Sequence, residues 1–447
     1  MSLFGALDTA VSGLGAQSAA FGNISDNVAN SQTVGFKGTD TAFSDYLTTS
    51  TATVNASGAV GTTPDYQNNV QGTIAQSSDS LALAISGQGF FPVSLPIGTA
   101  NGQTSFSSTP YYTRAGDFQM NSSGYLVNSA GNYLDGWTVN PTTGVVSQNA
   151  TAPIQVSQTA YNPVATSTLS LSANLPATPA ATTAVSSQIN VYDSLGTSHG
   201  ITLNWTQSTT TPNSWTVQIV SPDDRNAAPT SPVTDASGNH VIGTADVTFG
   251  NDGTIQSITN PVSDYGTVSG LTAGGPGTAA SLNFSSQFTA GNNQTITLNL
   301  GNYGQANGVT QYAGTTYSLN SITQDGVPPG SFSSVSTTTS GNIVVNYNNG
   351  QSRTIAQVPL VTFNNPDALQ RQNGQAYTAT QDSGTPRTEA AGTNGAGSIV
   401  TGSVEDSNVD IATQFTQLIV AQNAYSANAK VVTTANTLLQ DTLDMLR

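Results

Sequence analysis

Residues 407 to 447 read SNVDIATQFTQLIVAQNAYSANAKVVTTANTLLQDTLDMLR, and neither proline nor glycine occurs from Val409 onward. Alternating steps of four and three from Ile411 land on Phe415, Leu418, Gln422, Tyr425, Ala429, Val432, Asn436, Leu439, Leu443 and Leu446, and nine of these eleven positions are apolar. That spacing holds one narrow stripe on one side of an α-helix, the pattern of a left-handed coiled-coil seam. Ser407 and Asp410 stand in capping-box spacing just ahead of it. A helix of roughly 35 residues, about 50 Å long, is therefore expected here. It cannot bury its stripe against itself, and an isolated helix is marginal in water, so it needs helical partners.

The opposite end offers one. From Leu3 the same steps reach Leu7, Ala10, Leu14, Gln17, Phe21, Ile24 and Val28, with seven of the eight positions apolar. The two end helices either pair only with each other inside one chain or also join a bundle between subunits. The second reading is favoured by outward faces of Ser, Thr, Asn and Gln in place of the Glu/Lys pairs of a solvated helix. Polar Gln422 and Asn436 in the seam favour it too, as register-fixing residues.

Between the ends the period changes from 3.6 to 2. Ile201, Leu203 and Trp205 alternate with polar residues, as do Trp215, Val217 and Ile219, which reads as a hairpin. Further hairpins are expected around Asn121 to Gly124, around Asn251-Asp252-Gly253 and around Asn349-Gly350, Asn-Gly being the strongest short hairpin signal. Ala/Thr/Pro-rich stretches at 173–184 and 226–234, and Gly-rich ones at 273–278 and 392–397, mark loops or linkers. The expected fold is mainly β with α-helical termini: terminal coiled-coil helices packed together, and nested β domains inserted between them. Residues 1–40 and 403–447 form the helical assembly domain and 41–75 a connector. Residues 76–150 and 316–402 form an inner β domain, and 151–315 an outer inserted one.

Composition narrows the function. Eight basic against 24 acidic residues leave a net charge of -16, which gives no electrostatic footprint for nucleic acid or anionic lipid. Only 7% of the 447 residues are charged and there is no cysteine, so stability must come from burial or assembly. Residues 1 to 36 hold no Lys or Arg and no unbroken apolar core, so a cleavable secretory signal is not expected. No 18-residue apolar run suits a bilayer.

Little reads as catalytic. His199 and His240 stand in turn contexts with Asp193 or Asp235 upstream and serines nearby, and are read as surface turn histidines in preference to a triad. Asp223-Asp224 and Asn251-Asp252-Gly253 lack the ligand spacing of a calcium loop and read as turns. Glu389 and Glu405 are the only glutamates, a poor basis for a glycosidase pair. The run from Gly87 to Phe91 reads as a strand turning on glycine, with Phe90 and Phe91 in the core. No catalytic residue, cofactor or metal is expected, and Trp137, Trp205 and Trp215 are read as core in preference to exposed sugar platforms.

Several segments together resemble the axial rod/hook family of the bacterial flagellum, and within it the hook proteins. Asp26-Asn27-Val28-Ala29-Asn30 followed by Gly35-Phe36-Lys37 resembles the family's N-terminal motif, with Asp26 in place of the usual Asn. Leu81 to Phe91 resembles the opening of its first β domain, with Ala82 in place of Asp. Tyr112 to Phe118, continuing to Gly124-Tyr125-Leu126-Val127-Asn128, is similar, as is Ser407-Asn408-Val409-Asp410 with Gln422, Tyr425, Asn428 and Ala429. Val191 to Gly196, inside the large insertion, favours hook over rod. The resemblance implies a non-enzymatic subunit exported through the flagellar type III apparatus and polymerised into a curved hollow tube outside the cell. It implies many copies of itself as partners, together with rod, cap, length-control and hook-filament junction proteins. A rod or junction protein, or a secreted β-rich adhesin, is the alternative.

Overall fold

The computed structural model describes residues 3–50, 55–100, 103–140, 143–179, 184–225, 234–235, 238–263, 275–289 and 292–445. Among the described residues there are two α-helices, one near each end of the chain, with a β-rich middle between them in sequence. The N-terminal helix α1 runs Leu3–Ala29 and the C-terminal helix α2 runs Ile411–Asp444, 34 residues against the roughly 35 expected. Asp410 caps α2, its Oδ1 accepting the N–H groups of Ala412 at 2.8 Å and Thr413 at 3.2 Å. Ser407 instead accepts the N–H of Val409 at 3.3 Å. A single Asp cap thus replaces the expected box, because the first helical bond, from Gln414 N–H, closes on the Asp410 carbonyl.

The chain divides into two compact units, the first comprising 1–158, 333–346 and 352–447, the second 159–332 and 347–351. In the first unit, α1 leads into a long antiparallel ribbon of β1 (Thr39–Ser50) and β2 (Asn55–Tyr66). The ribbon lies along α1: Val60 N–H donates to Ser12 Oγ at 3.1 Å, and Asn23 Nδ2 to Thr41 Oγ1 at 2.8 Å. The same unit holds a sheet that runs, in order, through Ser352–Gln357, Tyr133–Val139, Phe91–Ser94, Tyr111–Thr113 and Ala376–Thr378 to an edge strand at Gln370–Gln372. Phe91 and Phe118 meet edge to face at 5.7 Å, and Phe90 packs on Tyr377 and Phe363, so both phenylalanines are core as expected.

One acid is buried in that sheet. Asp135 accepts from Ser94 Oγ at 2.8 Å, and its Oδ1 has no partner among the described residues. Burial pushes its carboxyl up from 3.8 to about 6, against the opposing pull of the Ser94 bond. The folded state therefore holds this proton more tightly than the unfolded chain does. The stability contribution is full below about pH 4 and is lost as pH rises through about 6. Asp135→Asn is expected to raise stability at pH 7 by up to about 3 kcal/mol and to leave it unchanged at pH 4. Melting temperatures of both proteins at the two pH values check this, and a difference independent of pH would refute it.

The second unit packs two sheets on one core. Five strands, Val185–Tyr192, Ser198–Gln207, Ser214–Val220, Val241–Phe249 and Ile255–Ser263, form an antiparallel meander. The other sheet orders Ala279–Thr289, Asn292–Asn302, Thr168–Asn174 and Val309–Thr310, with Ser318–Gln324 also on Thr168–Asn174. Trp205, Trp215, Leu203 and Ile219 from one sheet share a cluster with Leu171, Phe284 and Leu298 from the other. Strict alternation puts these residues inside, as the period-2 pattern required. The expected hairpins around Asn121–Gly124, Asn251–Gly253 and Asn349–Gly350 are all present.

Candidate assembly site

The motifs near the two chain ends meet at Glu405. Strand Ser403–Glu405 pairs antiparallel with Ile74–Gln76, which carries the Glu405 side chain into a fully buried position. Its Oε1 accepts from Lys37 Nζ at 2.5 Å and from Gly72 N–H at 2.8 Å, and its Oε2 from Arg114 Nη1 at 2.9 Å. Lys37 also donates to the Val70 carbonyl, and Arg114 to that of Gly87. Two buried cations thus share one buried carboxylate. Burial pulls the Lys37 ammonium below the ordinary lysine range, Glu405 pulls it back up and Arg114 pushes it down.

The motif glycines make this closeness possible. Gly35 adopts φ +67°, and a Cβ there would lie 2.4 Å from the Ala115 nitrogen. A Cβ on Gly116 would lie 1.7 Å from the Leu83 carbonyl oxygen. Any side chain at either position would push the Arg114 segment off Lys37 and Glu405.

A second set of bonds ties α1 to the start of α2. Asn27 is buried; its Nδ2 donates to the Thr39 carbonyl at 2.9 Å and to Gln414 Oε1 at 3.1 Å, and its Oδ1 accepts from Thr39 N–H. Asn408 accepts from Gly38 N–H at 2.7 Å and donates to the Gln67 and Val70 carbonyls. Arg371 donates to Thr39 Oγ1, Gly38 O and Asn68 Oδ1, and lies 4.7 Å over the Tyr66 ring and 5.9 Å over that of Phe36. Asn30 closes the end of α1, donating to the Asp26 carbonyl, while Ala29 is exposed and Val409 sits against Gly38. Sequence reasoning missed Glu405, Arg371 and Gln414 as partners. The signal available was scarcity: in a chain with two glutamates, one stands two residues before the Ser407 motif.

The helices pair through small residues. On α1 the buried positions are Ala10, Gly13, Ala16, Ala20, Ile24 and Asn27; on α2 they are Gln414, Ala421 and Ala435. A Cβ on Gly13 would fall 2.8 Å from Asn428 Nδ2, so the bare glycine is what leaves room for the Asn428 side chain against α1. Leu7, Leu14, Phe21 and Val28 are half-buried, as are Leu418, Val432 and Leu439. Phe21 meets Tyr425 edge to face at 6.2 Å. Ile411, Phe415 and Tyr425 remain exposed, together with Ile419, Val420, Val431 and Leu438. Leu3 and Leu443 lie within the helices, whereas Leu446 lies outside the described residues.

His199 is not a surface turn residue, and His240 is half-buried. His199 faces the core of the second unit, stacked on Phe288 at 4.3 Å, with Nε2 3.4 Å from Asp193 and Nδ1 3.2 Å from Asp223. Strand alternation places it in phase with Ile201, Leu203 and Trp205. His240 Nδ1 lies 2.7 Å from Asp224, whose other oxygen accepts from Ser286 Oγ at 2.9 Å. A catalytic triad needs serine against imidazole; here the serine donates to the carboxylate.

Four stretches match family models: 7–37 the flagella basal body rod protein, 84–172 the flagellar hook protein FlgE/F/G D1 domain, 155–327 the flagellar basal body protein FlaE D2 domain, and 400–445 the flagellar basal body rod FlgEFG protein C-terminal region. The flagellar hook protein FlgE of Brucella abortus is 31% identical over 451 residues, covering 100% of both chains. The chain belongs to the flagellar hook protein family. The hook protein of Rhizobium meliloti is also 31% identical at full coverage of both chains, and that of Salmonella typhimurium is 29% identical over 98% of each. Among solved structures, the Helicobacter pylori flagellar hook protein FlgE2 aligns at TM-score 0.45 and 14% identity, over 73% of this chain and 98% of that one. The buried cluster joins three of the family segments: Lys37 comes from 7–37, Arg114 from 84–172 and Glu405 from 400–445.

Proposed function

We propose that the chain is the structural subunit of a bacterial flagellar hook, polymerising into a curved hollow helical tube that links rod to filament and transmits torque. The observation that supports this most directly is α2. Its small-residue face is used up on α1, while Phe415, Ile419, Val420, Tyr425, Val431 and Leu438 are left in water along one 34-residue helix. A monomer has no use for so many exposed large apolar side chains on one helix, and a polymer of identical chains can bury them in every subunit. In this reading the terminal helices make the permanent contacts. The inserted β unit, whose surface is rich in Ser, Thr and Asn, makes hydrated contacts that exchange as the tube bends. Rod, cap, length-control and junction proteins and the type III export apparatus are the expected partners.

The role is structural and not catalytic. A sugar-binding reading loses its platforms, since Trp137, Trp205 and Trp215 are at most 3% exposed. Electron microscopy tests the proposal by comparing the purified full chain with one lacking residues 1–30 and 409–447 under polymerising conditions. Hollow tubes from the full chain alone are expected. Monomers from both would move the assignment to a rod or junction protein.

A further inference from the structure

A groove of about 460 Å³ runs between α1, the β1–β2 ribbon and α2. Its apolar walls include Ile24, Phe43 and Val420, and Phe43 and Val420 are each at least half exposed. Two carboxylates, Asp40 and Asp65, also line it, and they stand directly opposite each other in the ribbon register. Like charges in that position repel. Burial, and then the charge of Asp65, hold the Asp40 carboxyl above the ordinary aspartate range. Among the described residues no cation pairs with either acid. α1, β1 and β2 contain no Lys or Arg at all.

α2 contains one, Lys430. It is exposed and forms no ion pair among the described residues. The positions around it on its helix face, Asn423, Ser426, Ala427, Thr433, Thr434 and Thr437, are all exposed and carry nothing larger than asparagine. This face is a low ridge with one cation at its middle. Lys430 cannot serve the groove of its own chain. The α2 residues that line the groove, Thr416 to Ala421, lie 9 to 14 positions away, about 14 to 21 Å along the helix, and a lysine side chain reaches about 6 Å.

We propose that the groove receives the Lys430 face of α2 from a second copy of this chain, with the ammonium between Asp40 and Asp65 and the aliphatic stem against Phe43 and Val420. The groove has the charge, the depth and the apolar rim that a lysine side chain matches. The contact fixes which copy meets which and in what register, a role suited to charges because a misplaced neighbour would leave two acids facing an uncharged ridge. It rests on the polymer reading above.

The test is charge exchange in the full-length chain, with the concentration needed for tube formation measured by pelleting and microscopy. Lys430→Glu and Asp65→Lys are each expected to raise that concentration about tenfold or more, and the double variant to recover most of the loss. Lys430→Glu should melt with the wild type, since Lys430 is exposed and forms no ion pair among the described residues. Normal assembly of Lys430→Glu overturns the contact and leaves the hook reading intact, as does a double variant no better than either single one. Failure of the wild type itself to polymerise overturns both.

Discussion

Replacing Glu405 by glutamine is expected to destabilise the first unit by about 3–5 kcal/mol, the usual result of removing one partner from a buried ion pair. The side chain keeps its size, but Lys37 and Arg114 are left as two cations, at 1% and 4% exposure, with nothing to balance them. A melting temperature lower by roughly 10 °C follows for a unit of this size. The loss also reaches assembly. Gly35 N–H donates to the Glu405 carbonyl at 2.7 Å, and Asn408, three residues further on, accepts from Gly38. Loosening Glu405 therefore unties the end of α1 from the start of α2. The companion variant Lys37→Met, Arg114→Met, Glu405→Leu separates charge from packing, because an apolar replacement of the whole cluster should melt above the single substitution. If Glu405→Gln melts with the wild type, the cluster is no clasp between the chain ends.

Much of this was legible beforehand, for reasons that also explain what was not. The extent of α2 follows from a run without Pro or Gly, and the hairpin at Asn349-Gly350 from a turn that needs φ > 0, seen as +79° at Gly350. These are local signals. The clasp is not local: Lys37 and Glu405 are 368 residues apart and Arg114 and Glu405 291, and no periodicity connects them. The seam shows a subtler gap. Apolar spacing picks out Phe415, Gln422, Ala429 and Asn436, whereas the face turned to α1 includes Gln414, Ala421, Asn428 and Ala435, one residue earlier at each step. Hydrophobicity ranks side chains by transfer energy, but the contact between these helices is made largely by small and amide side chains, as where Gly13 leaves room for that of Asn428. His199 was misread for a related reason. Its turn neighbours suggested the surface, while the strand's alternation, in phase with Trp205, already pointed inward.

The large side chains that the intrachain pairing leaves out give the other strong prediction. Phe415→Ser with Ile419→Ser is expected to leave the monomer's melting temperature unchanged and to raise the concentration needed for polymerisation roughly 30- to 150-fold. Both side chains are already more than half exposed, at 52% and 58%, so the folded chain loses almost no burial. They stand four residues apart on one helix face and enter a subunit interface together. Burying the exposed half of each contributes about 1 to 1.5 kcal/mol, hence about 2 to 3 kcal/mol per subunit, which gives the concentration range stated. The conservative pair Phe415→Leu with Ile419→Val should assemble almost normally, because it keeps the face apolar. Tubes forming at the wild-type concentration from the serine variant would show that this face stays in water in the polymer. The permanent contacts would then have to lie elsewhere, on the ribbon of β1 and β2, where Phe43, Tyr46 and Leu47 are also exposed.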